Sequence, residues 1–364
     1  MKRKAILIII ACISFLSSCS MRIPEADMVC RSSNGAYDNG NLYYNTGGLN
    51  MHYFDTSVLL TKFVCDDPVC DHYNVNCFSY LGGLGSTFLA AHSGKVYSVI
   101  TETASNTYSI LVMDVINHKK SYMVTEFPNP IGRFIVCVQG VYFCGLDENG
   151  KQNIYYANNK GKYKSLTDSI ETNCVIMSIE QGEIWFYDFD GNIYTANSSF
   201  ETITKRCTMT SGLTYGYYYA GGYIYYFDNP EYEEYSIGER NVGNTAYTLY
   251  RCSASDPNNP EAVCKSVHLA SDIIISDKDI LVAASNFTVD DDGTYSVSGG
   301  VIFHIDPKTG KKEEICIQGT DMGALVYAGD DFICGFGKYV EDGHVEMGYI
   351  VYDRIHGDQY HIKG

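Results

Sequence analysis

Residues 65–77 read CDDPVCDHYNVNC, placing three cysteines and one histidine within thirteen positions. Thiolate and imidazole suit zinc and similar soft metals, and a structural site takes four such ligands at tetrahedral geometry. Cys65, Cys70, His72 and Cys77 supply a complete set locally. Pro68 stiffens the first loop, and Asp66, Asp67 and Asp71 add negative potential that draws a cation. The spacing is unlike a C-x2-C pair, and an exported chain has oxidation as a competing fate for its thiols. Three outcomes stay open: a structural zinc site, a disulfide knot through Cys65–Cys70 or Cys70–Cys77, or reduced, unligated thiols. The histidine separates the first two, because a knot has no use for His72.

The compartment is written at the start of the chain. Lys2, Arg3 and Lys4 precede an apolar run from Ala5 to Leu16, then small residues. The run is too short for a comfortable membrane span and fits a secretory signal over residues 1–18. Leu16-Ser17-Ser18-Cys19 resembles the lipobox of bacterial lipoproteins. That resemblance implies cleavage before Cys19, lipidation of Cys19, and a protein held by acyl chains on the extracellular face of the cell membrane. Residues 19–33 then read as a tether. Loss of residues 1–18 removes three positive charges and no negative ones, taking the formal charge from −17 to −20. Such a surface repels nucleic acid and anionic lipid headgroups, and nucleic acid is excluded as a partner.

The elements that must position the cysteines are repeats. A turn followed by alternating apolar and aromatic residues recurs as DNGNLYY (38–44), HSGKVYS (92–98), VQGVYFC (138–144), EQGEIWF (180–186) and AGGYIYY (220–226). SDKDILV (276–282) and AGDDFIC (328–334) are degenerate copies. A period of roughly 40 to 55 residues points to a propeller or another repeat array. Each unit contains two hairpins, and helical periodicity is absent after the signal. The expectation is an all-β chain: a β-propeller of seven four-stranded blades over residues 34–364, with six blades as the alternative. Tyr43, Tyr97, Tyr142, Trp185, Tyr225, Leu281 and Ile333 are expected at equivalent second-strand positions. Residues 65–85 become an inter-blade loop, longer than most connections. Insertions at 229–246 and 286–300 fall between second and third strands, on the face of the inter-blade links.

A lipobox followed by tyrosine-rich repeats resembles the propeller lipoproteins of Gram-positive cell surfaces, related in architecture to TolB-like and quinoprotein-like propellers. Many of these carry a segment similar to Cys65-x4-Cys70-x-His72-x4-Cys77 just after the first repeat. The resemblance implies fold and location, and brings no catalytic residue.

Most remaining cysteines sit in apolar strands, where a free cysteine behaves as a small hydrophobe. Cys252 and Cys264 flank Asp256-Pro257-Asn258-Asn259-Pro260 almost symmetrically, which makes them a candidate cross-hairpin disulfide. Acidic turns at 188–192 and 290–293 lack the twelve-residue calcium-loop pattern and read as hairpin turns. No nucleophile elbow, zinc-protease helix or phosphate loop is present. The functional expectation is a non-enzymatic, monomeric surface binding or scaffold module for a glycan, a peptide or an envelope protein. The alternative is an extracellular hydrolase or lyase with acid–base residues at the channel mouth.

Overall fold

In a computed structural model, residue 23, residues 28–31 and residues 35–363 are described, apart from 46–48, 73, 75, 82–83, 103–106, 128–129, 210–215, 229–233, 238–239, 244–245, 269–272, 276–279, 290–294, 307, 310, 317–319 and 330. Cys19 and the signal lie outside them.

The repeated phrase works because of its turn. Asn39-Gly40, Ser93-Gly94, Gln181-Gly182 and Gly221-Gly222 all have positive φ at both positions. That is the type I′ geometry whose twist matches that of the flanking strands. In blade three the register is Cys137↔Gly140, so the turn is Val138-Gln139 and the glycine falls one place later. A Cβ on Gly140 would lie 2.2 Å from the Ala157 carbonyl oxygen, so close approach of the next strand, not the turn, requires this glycine.

Each phrase joins the first two strands of a four-stranded antiparallel sheet, and seven such sheets follow in sequence: residues 36–63, 84–127, 130–165, 174–208, 217–268, 274–316 and 320–363. All are β-structure, with no helix among the described residues. The protein is a seven-bladed β-propeller. Both faces of every sheet are buried against neighbours, and seven apolar clusters fill the seams. Tyr43, Tyr97, Tyr142, Trp185, Tyr225 and Leu281 all face the following blade, as equivalence requires. Ile333 does not: it faces blade six, and Cys334 takes the equivalent place toward blade one. The reason is the turn, where the Gly329 amide bonds to the Phe332 carbonyl and sets the hairpin one residue later than the sequence pattern suggests.

Blade seven draws all its strands from the C-terminal end, so the ring closes on side chains instead of a shared sheet. Tyr37 packs on Tyr327, Tyr44 on Tyr349 and Phe54 on Tyr360, with centroids 4.9, 4.5 and 6.4 Å apart. The Tyr349 hydroxyl donates to the Asn45 carbonyl at 3.3 Å.

The two faces of the ring differ. Third-to-fourth strand turns hydrogen-bond to first-to-second strand turns of their own blade, through Thr56 to Gly40, Val115 to Gly94, Asn159 to Gln139 and Arg354 to Asp331. These form a hairpin face. The opposite, loop face carries the inter-blade links and the second-to-third strand connections. Within the insertion at 229–246, Glu234–Ile237 pairs with Arg240–Gly243 as a separate two-stranded sheet, and the pairing of 286–289 with 295–298 lengthens the blade-six hairpin. Part of the expected tether is strand: Met28–Arg31 pairs antiparallel with Pro130–Cys137, the inner strand of blade three, and so lies in the channel.

Tyr349→Ala removes the closing ring contact and its hydrogen bond, and should cost about 3 kcal/mol in urea unfolding. A loss under about 1 kcal/mol would show that the ring closes by other means.

Candidate functional site

Blade one is the ring's weakest sheet by length. Its strands, Ala36–Asp38, Asn41–Tyr44, His52–Asp55 and Leu60–Phe63, have three or four residues, where those of blade two have eight or nine. From its outer strand the chain runs through 64–81 along the seam to blade two, and this link carries the cluster.

Cys65, Cys70, His72 and Cys77 converge, with their ligand atoms all within 4.8 Å of one another. Zinc–sulfur bonds of about 2.3 Å and zinc–nitrogen bonds of about 2.0 Å give a tetrahedron with edges of roughly 3.5–3.8 Å. The His72 Nδ1 to Cys77 Sγ distance, 3.5 Å, is already such an edge. His72 reaches inward because its backbone is left-handed, φ +61°, and its ring stacks on Phe63 with centroids 4.2 Å apart. Its amide lies 3.4 Å from Cys70 Sγ. Short local turns supply the rest of the shape, Cys70 N to Asp67 O at 3.2 Å and Cys77 N to Asn74 O at 3.1 Å.

Burial alone would raise the Cys77 thiol, but hydrogen bonds from Ser79, His72 and Cys70 outweigh it and bring the group down to about 6. Cys70 ends at about 11: the His72 amide pulls it down, while desolvation and the Cys77 and Cys65 thiols push it up further. Thiols this close cannot all ionise by themselves, and a divalent cation is what lets them do so. The donor set, three sulfurs and one imidazole nitrogen, fits zinc or a similar soft metal.

Three supporting residues carry no sequence signal of their own. Ser79 Oγ lies 3.0 Å from Cys77 Sγ and donates to Asn50 Oδ1 at 3.2 Å, tying the cluster to the second-to-third strand connection of blade one. Lys120, on the outer strand of blade two, donates to the Cys77 carbonyl at 2.7 Å and also to that of Tyr80. Burial lowers the Lys120 pKa, and the charges of Cys77 and Cys65 partly restore it. The cluster therefore clasps blade one to blade two at the outer seam, away from the channel.

The expected Cys252–Cys264 disulfide is not made. The hairpin turns at Ala254-Ser255, because Ser253 pairs with Asp256, so 256–260 is strand and the symmetry about Asn258 is only sequential. Cys264 pairs with Leu249. Cys252 is buried in the seam between blades four and five, Cys264 in that between five and six, on opposite sheet faces. The 188–192 turn is turn chemistry as expected: Asp188 Oδ1 accepts from the Asp190 and Asn192 amides at 3.1 and 2.9 Å.

Sequence reading did not foresee the channel cavity. Inner strands of blades two to five enclose about 310 Å³, lined by Phe88, Ile135, Met177, Tyr187, Tyr217, Tyr218 and, at the rim, half-exposed Phe189. The wall also carries Arg133 and Gln152, the Cys144 thiol and the hydroxyl-bearing rings of Tyr187, Tyr217 and Tyr218. The Arg133 guanidinium reaches toward blade six and donates twice to the Ile273 carbonyl, each at 3.2 Å.

No protein-family model and no curated protein sequence matches the chain. Solved structures do. A puromycin hydrolase S511A mutant complexed with PGG is similar at TM-score 0.55 and 11% identity, over 92% of this chain and 53% of that one. The chain spans about half that protein's length. The β-propeller domain of the Trilobed protease from Pyrococcus furiosus has TM-score 0.47 and 11% identity, over 76% of this chain and 82% of that one. TolB from Acinetobacter baumannii has 0.46 and 13%, over 81% and 65%. At such identities the puromycin hydrolase likeness speaks for the propeller fold alone. Fold and site together define a seven-bladed propeller with a Cys3His cluster at the seam of its first two blades.

Protein prepared without chelator should hold about one zinc per chain by elemental analysis, as four ligands on one ion require. His72→Ala should hold less while the blades stay folded. A metal-free wild type with a disulfide among Cys65, Cys70 and Cys77 by mass spectrometry would reject the clasp.

Proposed function

We propose that the protein is a non-enzymatic binding module, held at the extracellular face of the membrane by lipid on Cys19, that receives a glycan or peptide at the channel mouth. The single observation that carries this reading is the composition of the cavity. Its wall is mostly aromatic and aliphatic, with three tyrosines, one thiol, one guanidinium and one amide, the lining that stacks on sugar rings or packs on peptide side chains. A hydrolase or lyase would need a proton donor and acceptor titrating near neutrality; the described residues of the wall include no carboxylate or histidine, and burial raises the phenols of Tyr187 and Tyr217. The metal, on this reading zinc, has a structural role: it lies at the outer seam, and all four positions of a tetrahedron are taken by protein ligands. The lipid rests on the Leu16-Ser17-Ser18-Cys19 sequence.

Full-length protein applied to a glycan and peptide array should bind a restricted set of ligands and leave them intact. Phe189→Ala and Tyr218→Ala should weaken that binding at least about tenfold, near 1.4 kcal/mol. Unchanged binding by both variants, or cleavage of a bound ligand, would refute the reading.

A further inference from the structure

Six exposed aliphatic side chains are gathered on one side of the ring. Val58, Leu59 and Leu60 stand at the third-to-fourth strand turn of blade one, Ile116 at that of blade two and Ile355 at that of blade seven, while Val138 is at the first turn of blade three. Ile116, Val138 and Ile355 are 68%, 60% and 66% exposed. All six belong to the hairpin face, and blades seven, one, two and three are consecutive around the ring. The corresponding turns of blades four and six expose polar and charged residues, among them Glu201, Lys308 and Lys311. Lys119, Lys160 and Lys162 are exposed beside the aliphatic turns.

Exposure alone does not choose a partner, since Val340 and Val345 are exposed on the loop side. The path of the chain does. Met28 pairs with Cys137, the last inner-strand residue before the blade-three turn, and Arg31 pairs with Ile135, deeper in the channel. The N-terminal strand therefore enters the channel from the hairpin face and climbs toward the loop face. Ile23 is buried in the seam between blades three and four. Cys19 is four residues ahead of Ile23, a reach of at most about 14 Å, and nine ahead of Met28, at most about 32 Å.

We infer that the hairpin face is a membrane-docking surface, with the turns of blades seven, one, two and three seated in the lipid interface and the loop face turned outward. The inference rests on the lipid anchor proposed at Cys19. Aliphatic tips seat a monotopic surface in the lipid interface, and Lys119, Lys160 and Lys162 beside them locally offset the repulsion between the acidic chain and anionic headgroups. A tether this short leaves the loop face, with the channel cavity, directed away from the bilayer.

Single tryptophans report the depth of each face, and buried Trp185 in the otherwise unchanged chain gives the baseline. Full-length protein with Ile116→Trp, Val138→Trp or Ile355→Trp, and separately Val340→Trp or Val345→Trp, would be placed in phosphatidylcholine–phosphatidylglycerol vesicles brominated near the glycerol backbone. The first three should lose fluorescence and the last two should not. Flotation with lipid on Cys19, but quenching on the loop side or at no position, overturns the docking face and leaves the anchor standing. Shielding of the three positions by a second copy, read as a dimer in detergent, overturns it too. A chain that neither floats nor carries lipid at Cys19 overturns anchor and docking face together.

Discussion

Everything in this molecule depends on face-to-face packing of blades. A four-stranded sheet cannot bury its apolar surface alone, and here each sheet lends one face to each neighbour. The aromatic residue three places after the hairpin turn is the repeated device: it points at the following blade, and the residues on either side of it point at the preceding one. Trp185, stacked on Tyr219 of the next blade at 3.7 Å, shows the contact at its tightest. Since no strand is exchanged between the chain's ends among the described residues, the last seam is closed by the same means as the other six. That explains the density of tyrosines where blades seven and one meet.

Packing of this kind scales with strand length, and blade one is short. Its link to blade two buries Cys77, Leu81 and Val64 but leaves Val69 and most of the aspartates in water, too little apolar surface to order the segment. On the proposed reading, a metal held by three thiolates and an imidazole would offset that entropy and couple to folding. Lys120 and Ser79 then join the ordered loop to the two blades it separates. The cluster is thus a substitute for packing where packing is thin.

What was legible in the sequence was local. The turn-plus-aromatic phrase encodes a type I′ hairpin and an alternating strand, so blade count and sheet facing followed from it. The four ligands stand within thirteen residues, so their convergence followed as well. Errors arose where a turn shifted by a residue or more: Ile333 moved to the other sheet face, and the Cys252–Cys264 hairpin turned before its proline-rich stretch. One regular signal was overlooked. Third-to-fourth strand turns open on Asp55, Asp114, Asn158, Asn197, Asp306 and Asp353, whose side-chain oxygens accept amides two to five residues on. The channel cavity and the docking of Met28–Arg31 join residues from distant repeats, and no period in the chain reports such contacts.

The most direct test of the clasp is zinc K-edge X-ray absorption on full-length protein purified without chelator. The account predicts three sulfur neighbours near 2.3 Å and one nitrogen near 2.0 Å, with the nitrogen shell replaced in His72→Ala. A first shell of oxygens, or sulfur and nitrogen numbers unchanged by His72→Ala, would contradict it.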